Sequence, residues 1–428
     1  MKRKGFKIVL SVFSVILILV GLSYGFYKYF DPYRKVVATY ANTKPLDELL
    51  EKEEALNDLE YMMKNLRDYH PAFIDGSDIE MVNKQYDIER NQIKDTITVV
   101  ELWQSAARIF AKLQDGHSRV GIWYQNIGYI SDFNEMNKYE LLSINDMEVS
   151  TLYKQFLEQF SYELESYAEY QFYQYITRED YLNFLNVDTA NGVDFKFQTE
   201  EGEETFHYEF VKLEDVKNKK IDEGTQDFVR YTIDKENNLG IFTLTECNYN
   251  DTYKSTLSNF FSEVKENNID NIVVDLRHNG GGNSIVADAF FEYINIDSYY
   301  IFGGVDIRYG PFIFKNDKQS TINIKKDIVF DGNIYALTST DTFSSAMAFA
   351  VAIQDNKVGV IVGEVPGNMP SSYGDILSFQ MPNSQLPITI SFKKFRRVDE
   401  EKDKLPLIPD YEIDADNALD MVYDLIKG

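Results

Sequence analysis

An uncharged run of 20 residues, Ile8 to Tyr27, follows Lys2, Arg3, Lys4 and Lys7. Its length suits a helix crossing a bilayer. Tyr24, Phe26, Tyr27, Tyr29 and Phe30 crowd its far end, as in an interfacial aromatic belt. The competing reading, a cleaved signal peptide, lacks an A-x-A site and has a shorter apolar stretch. The expectation is an uncleaved anchor over residues 1–30, with the rest outside the cytoplasm. After a linker at 31–44, leucines and Met63 recur at helical spacing over 45–69. A second such pattern, Val99 to Leu113, stops at Asp115-Gly116. Residues 31–119 therefore read as a helical subdomain ending in the His117 loop.

The next unit, 120–225, is mixed. YELLSINDMEV (139–149) reads as two short strands around an Asn145-Asp146 turn, and VDFKFQ (193–198) with ETFHYEFV (204–211) as a hairpin. The tyrosines between 162 and 181 read as a packed helical face. From 226 to 428 strands and helices alternate: strands at 239–245, 271–276, 333–338 and 358–363, helices at 252–267, 283–294 and 344–355. That order predicts an α/β layer with strands buried on both faces. Two β segments (376–381 and 386–395) and an amphipathic helix using Ala418 to Ile426 close the chain.

Composition narrows the function. The chain has 428 residues, 43 basic and 69 acidic, for a formal net charge of -26. Such a surface repels phosphate backbones and argues against a nucleic-acid partner. The single cysteine, Cys247, excludes an intrachain disulfide and a cysteine-rich metal cluster. His70, His117, His207 and His278 lie in separate segments without HExxH spacing, so neither metal nor cofactor is expected.

Two strand-to-helix turns are candidates for chemistry. VVDLRHNGGGNS (273–284) lets the backbone approach a ligand at a helix N-terminus, and it is neither a P-loop nor GxGxxG. ALTSTDTFSSAMAFAVAIQDN (336–356) puts hydroxyls at the start of a helix, near Ser344. There the dipole favours a developing oxyanion, although serine is also an ordinary cap. A serine nucleophile needs a base, and His117, His278 or a lysine would serve.

These segments together resemble the C-terminal-processing and tricorn-core serine peptidases. DLRHNGGG resembles that family's glycine turn, and LTSTDTFSSAMAFAVAIQDNKVGVIVGE its nucleophile strand, helix and following strand. LQDGHSRV resembles the histidine-base segment of the tricorn-like branch. INDMEV is similar to part of a PDZ-like module, and LPLIPDYEID to the closing Pro-Asp segment. With the apolar run as an N-terminal transmembrane helix, the resemblance implies a helical subdomain, a PDZ-like module and an α/β, crotonase-like ββα core. It implies a membrane-anchored, extracytoplasmic serine endopeptidase acting on polypeptides. Ser344 would be the nucleophile, His117 the base, Asp403 (or Glu400 or Glu401) the acid orienting it, and the amides of Gly281 and Ser345 the oxyanion hole. The family glutamate is replaced by Met347, the lysine of the Ser-Lys branch by Met369, and the tricorn helper serine by Gly116. Met369 leaves His117 as the base the resemblance supplies, while Met347, Gly116 and the uncertain acid support a second reading, a catalytically impaired relative that binds peptides or acts as a scaffold.

Overall fold

The computed structural model describes residues 2–123, 127–131, 133, 135–212, 215 and 227–428. The expected boundary at 225/226 lies outside them.

A helix runs from Lys2 to Phe30, and its Val12–Phe30 part is long and apolar enough to cross a membrane. The linker that follows is packed on the body of the protein: the Val37 amide donates to Ser378 O at 2.9 Å, and Tyr33 stands edge-on to Phe392. The expected helix at 45–69 begins later, at Lys52. Leu49–Glu51 is instead a short strand paired with Thr96–Thr98, and Glu51 and Glu54 form a capping box that sets the helix start. Helices Lys52–Tyr69, Glu80–Gln92 and Val99–Ala111 make up the helical subdomain. The helix at 80–92 was not anticipated.

In the mixed unit, strands Met147–Glu148, Glu140–Ile144, Val193–Thr199 and Gly202–Tyr208 pair in that order. Asn145 and Asp146 both adopt positive φ (44° and 63°), the geometry of a two-residue hairpin turn. The tyrosine-rich stretch forms helices Glu165–Tyr175 and Glu179–Phe184, with Tyr167, Ala168 and Phe172 buried.

The C-terminal part holds a six-stranded sheet. Its strands follow chain order: Val229–Asp234, Leu239–Leu244, Asn271–Asp275, Asn333–Thr338, Val360–Gly363 and Tyr411–Glu412. Only the first pair is antiparallel. Helix Ser345–Asp355 buries every residue from Ala346 to Ile353 beneath one face, and helix Ala418–Lys427 covers the other. A second sheet orders strands Phe312–Asp317, Gly304–Tyr309, Pro387–Arg396 and Tyr373–Gln380. The short strand Arg119–Val120 adds to it through Ile388 and Thr389. This pairing carries the loop before it, from the N-terminal subdomain, to the C-terminal sheets.

Candidate active site

The two candidate turns meet at the carboxyl ends of adjacent parallel strands, Asn271–Asp275 and Asn333–Thr338. In the glycine turn Asn279 is fully buried; its Nδ2 donates to Leu244 O at 2.9 Å and its Oδ1 accepts the Gly281 amide at 2.9 Å. Phe343 N–H donates to Asn279 O at 3.0 Å, and Thr342 Oγ1 to Leu276 O at 2.8 Å, so each turn holds the other.

Ser344 lies at the junction, immediately before helix Ser345–Asp355, with φ 54° and ψ -121°. A side chain in that region is strained and persists only where its surroundings enforce it. Here the enforcing contact is Asn368, buried, whose Oδ1 accepts the Ser344 amide at 2.7 Å. The hydroxyl of Ser345 is already committed to Gly282 O at 2.7 Å, which separates the roles of the two serines. Gly281 is glycine of necessity: its φ is +103°, and a Cβ there would stand 2.7 Å from Ser344 Cβ.

Ser344 and His117 line the same cavity of about 670 Å³, together with Gly282, Ser345, Met347, Asn368, Lys393 and Phe395. His117 arrives from the other half of the chain because its loop is sewn to the second sheet: Thr389 Oγ1 donates to His117 O, and the Ser391 amide to Ser118 Oγ, both at 2.9 Å. Its ring lies 4.8 Å from that of Phe343, which stacks in turn on Tyr167. Gly116 suits this packing, since a Cβ there would sit 3.0 Å from Phe343 Cζ. Both imidazole nitrogens are buried without a hydrogen-bond partner among the described residues. His278, the other candidate, is exposed and does not line the cavity.

Asp403 is not brought to His117. Buried Arg397 pairs with buried Asp355 at 3.0 Å, and its amide donates to Ser371 Oγ at 2.8 Å. Asp403 does not line the cavity. Asp403 ends the turn Glu400–Lys402 and accepts the Ser371 hydroxyl, while Glu400 and Glu401 are exposed. The carboxylates beside His117 are Asp115 and Glu163, which with the imidazole form one cluster within 4.8 Å. Asp115 is 0 % exposed; it accepts His70 Nε2–H at 3.1 Å and the His117 amide at 3.0 Å, and its Oδ1 is 3.7 Å from His117 Nδ1. His70 Nδ1 accepts the Ala72 amide at 3.2 Å, which puts the His70 proton on Nε2, facing Asp115. Burial alone would raise the Asp115 pKa, but the close His117 ring, the hydrogen bond from His70 and the charges of both outweigh it and hold it well below the ordinary range. Glu163 is the reverse case: burial, then repulsion from Asp115, pushes it well above that range, against amide bonds from Met369 and Gly116.

The Gly281 amide is likewise engaged, by Asn279, and Gly281 is buried outside the cavity lining. The exposed glycine that lines the cavity is Gly282. Met369 spends its amide on Glu163 at 2.7 Å. Asp115 was legible only as a helix stop, and Asn368 and Glu163 carried no local signal.

Residues 238–413, which hold both turns and Ser344, match the sequence model of peptidase family S41. Residues 238–413 thus carry an S41-type peptidase domain, and the protein is a serine-type peptidase, a hydrolase. In fold it is similar to mature CPAF complexed with lactacystin, at 12% identity and TM-score 0.64 over 88% of this chain and 98% of that one. It is also similar to the photosystem II D1 C-terminal processing protease, at 14% identity and TM-score 0.50 over 88% and 97%. No curated protein sequence matches it.

Proposed function

We propose that the protein is a membrane-anchored endopeptidase working outside the cytoplasm, with Ser344 as nucleophile and His117 as base. The observation that carries this reading is a strained serine at a helix N-terminus, in one cavity with a histidine whose Nδ1 faces the Asp115 carboxylate at 3.7 Å and whose ring nitrogens are not tied up in hydrogen bonds. Ser344 Oγ attacks the peptide carbonyl while its proton passes to His117. The imidazolium then protonates the leaving amine as the C–N bond breaks, leaving an acyl-enzyme. Water, deprotonated by His117, releases the acyl group and restores the serine. Asp115, in place of Asp403, orients the ring and balances its transient charge. The amides of Ser345, in the first turn of its helix, and of Gly282 are assigned to the oxyanion.

The apolar N-terminal helix is read as the anchor, its basic end cytoplasmic. The sheet of residues 140–208 is read as the PDZ-like module, supported by its Asn145-Asp146 hairpin, and the C-terminal sheets as the crotonase-like core. The rival reading, peptide binding without turnover, draws on Met347 and on the Gly281 amide turned away from the cavity.

A fluorophosphonate probe separates the two. The wild-type chain and Ser345→Ala should be labelled and Ser344→Ala should not, with turnover in Ser344→Ala lower by about 10⁶. Labelling that survives in Ser344→Ala removes the assignment.

A further inference from the structure

The hairpin Gly304–Tyr309 and Phe312–Asp317 plays no part in the chemistry above, yet it joins the cavity to the N-terminal helix. Its outer strand is the edge of the second sheet, and it exposes two large aromatic rings, Phe312 at 49% and Phe314 at 48%. Soluble surfaces seldom spend aromatic rings on an edge strand unless something covers them. The last turns of the apolar helix reach this tip. Phe26 lies 6.1 Å from Phe314 and 6.1 Å from Tyr309, and Phe30 lies 5.7 Å from Phe312. Gly310 makes room for the approach, since a Cβ there would fall 2.4 Å from Phe30 Cδ1. Tyr24, Tyr27 and Tyr29 are exposed around the same end of the helix.

A span of 19 residues rises roughly 28 Å, about the thickness of the hydrocarbon layer. Once it crosses, Phe26 and Phe30 sit at the membrane–water boundary, and the hairpin tip sits beside them. The chain as a whole carries a net charge of -26, so attraction to anionic lipid is not a general property of its surface, and the exposed rings are what the hairpin tip offers the boundary. The base of the same hairpin, Val305, Ile307 and Asn316, forms part of the cavity wall. Ile307 is two residues from Tyr309, roughly 7 Å along a strand.

We propose that Phe312 and Phe314 seat the hairpin in the interface of the bilayer, and that the cavity consequently takes polypeptide segments held close to the same membrane. The substrate half of this inference rests on the peptidase reading; the membrane half does not.

The test uses the full chain in phosphatidylcholine vesicles. Phe314→Trp, compared with the wild-type background of Trp103 and Trp123, should lose roughly half its added emission to lipids brominated near the headgroup. It should be equally quenched in high salt. Added emission that ignores brominated lipid but yields to an aqueous quencher overturns the proposal. In the second arm, Phe312→Ser/Phe314→Ser should cleave a peptide tethered to the same vesicles about ten-fold more slowly, a loss of about 1.4 kcal/mol, and the free peptide at the wild-type rate. Equal rates on both peptides overturn the substrate class. A wild-type chain that cleaves neither peptide counts against the peptidase reading, while the quenching still decides the membrane contact.

Discussion

Replacing Asp115 by asparagine changes one atom in the most enclosed part of the site. The carboxylate accepts from His70 Nε2 at 3.1 Å and from the His117 amide at 3.0 Å, and both donors are fixed in direction. An amide has one acceptor oxygen. With that oxygen toward His70, its NH₂ group faces the His117 amide; reversed, it faces the His70 Nε2 proton. One donor meets another in either case, and a buried charge-assisted bond is lost, which costs about 3 kcal/mol of stability. The kinetic loss should be larger. Changing the orienting acid of a serine triad to an amide lowers kcat by about 10⁴, or about 5 kcal/mol of transition-state stabilisation. The assay pairs kcat on a peptide with the rate of fluorophosphonate labelling, beside urea midpoints that report folding. Asp403→Asn, which keeps an oxygen to accept the Ser371 hydroxyl, should turn over within roughly two-fold of wild type. A folded Asp115→Asn protein of near wild-type kcat would refute the reasoning, as would a loss of orders of magnitude in Asp403→Asn.

Gly281→Ala should destabilise the protein by about 2 kcal/mol or more and abolish labelling, because its φ of +103° and the 2.7 Å approach to Ser344 Cβ leave no room for a methyl group; normal labelling would show that the turn is looser than described. Glu163 should make the wild-type protein less stable as pH rises from the ordinary glutamate range toward its raised folded value. Its folded pKa is raised, so it binds protons more tightly folded than unfolded, and its stabilising contribution is lost as pH climbs toward the folded value. Urea midpoints of Glu163→Gln should show a shallower slope over that range, and parallel slopes would contradict the assignment. Asp115 acts in the opposite sense and in another window. Its lowered folded pKa gives stability that is complete above about pH 4 and drains away below it, and Asp115→Asn should lose that acid sensitivity.

Local pattern determined a good deal of this molecule. The apolar run before Asp31, the alternation that builds the six-stranded sheet and the Asn145-Asp146 turn all follow from side-chain period and backbone preference, which act over a few residues. The turn that holds Ser344 was visible for the same reason: a strand, a short polar run and a buried helix adjoin in sequence. What surrounds it was not visible. Asp115 reads as a helix stop until the strand Arg119–Val120 pairs with Pro387–Arg396 and carries its loop across the molecule. Glu163, 47 residues from Gly116 and 206 from Met369, acquires its environment only when three separate segments close around it. Asp403, which the resemblance nominates as the acid, instead accepts the Ser371 hydroxyl and does not line the cavity. Spacing along a chain records neighbours in sequence. The partners of a buried charge are chosen by long-range packing, and here that packing placed Asp115 beside the histidine and the aromatic hairpin beside the apolar N-terminal helix.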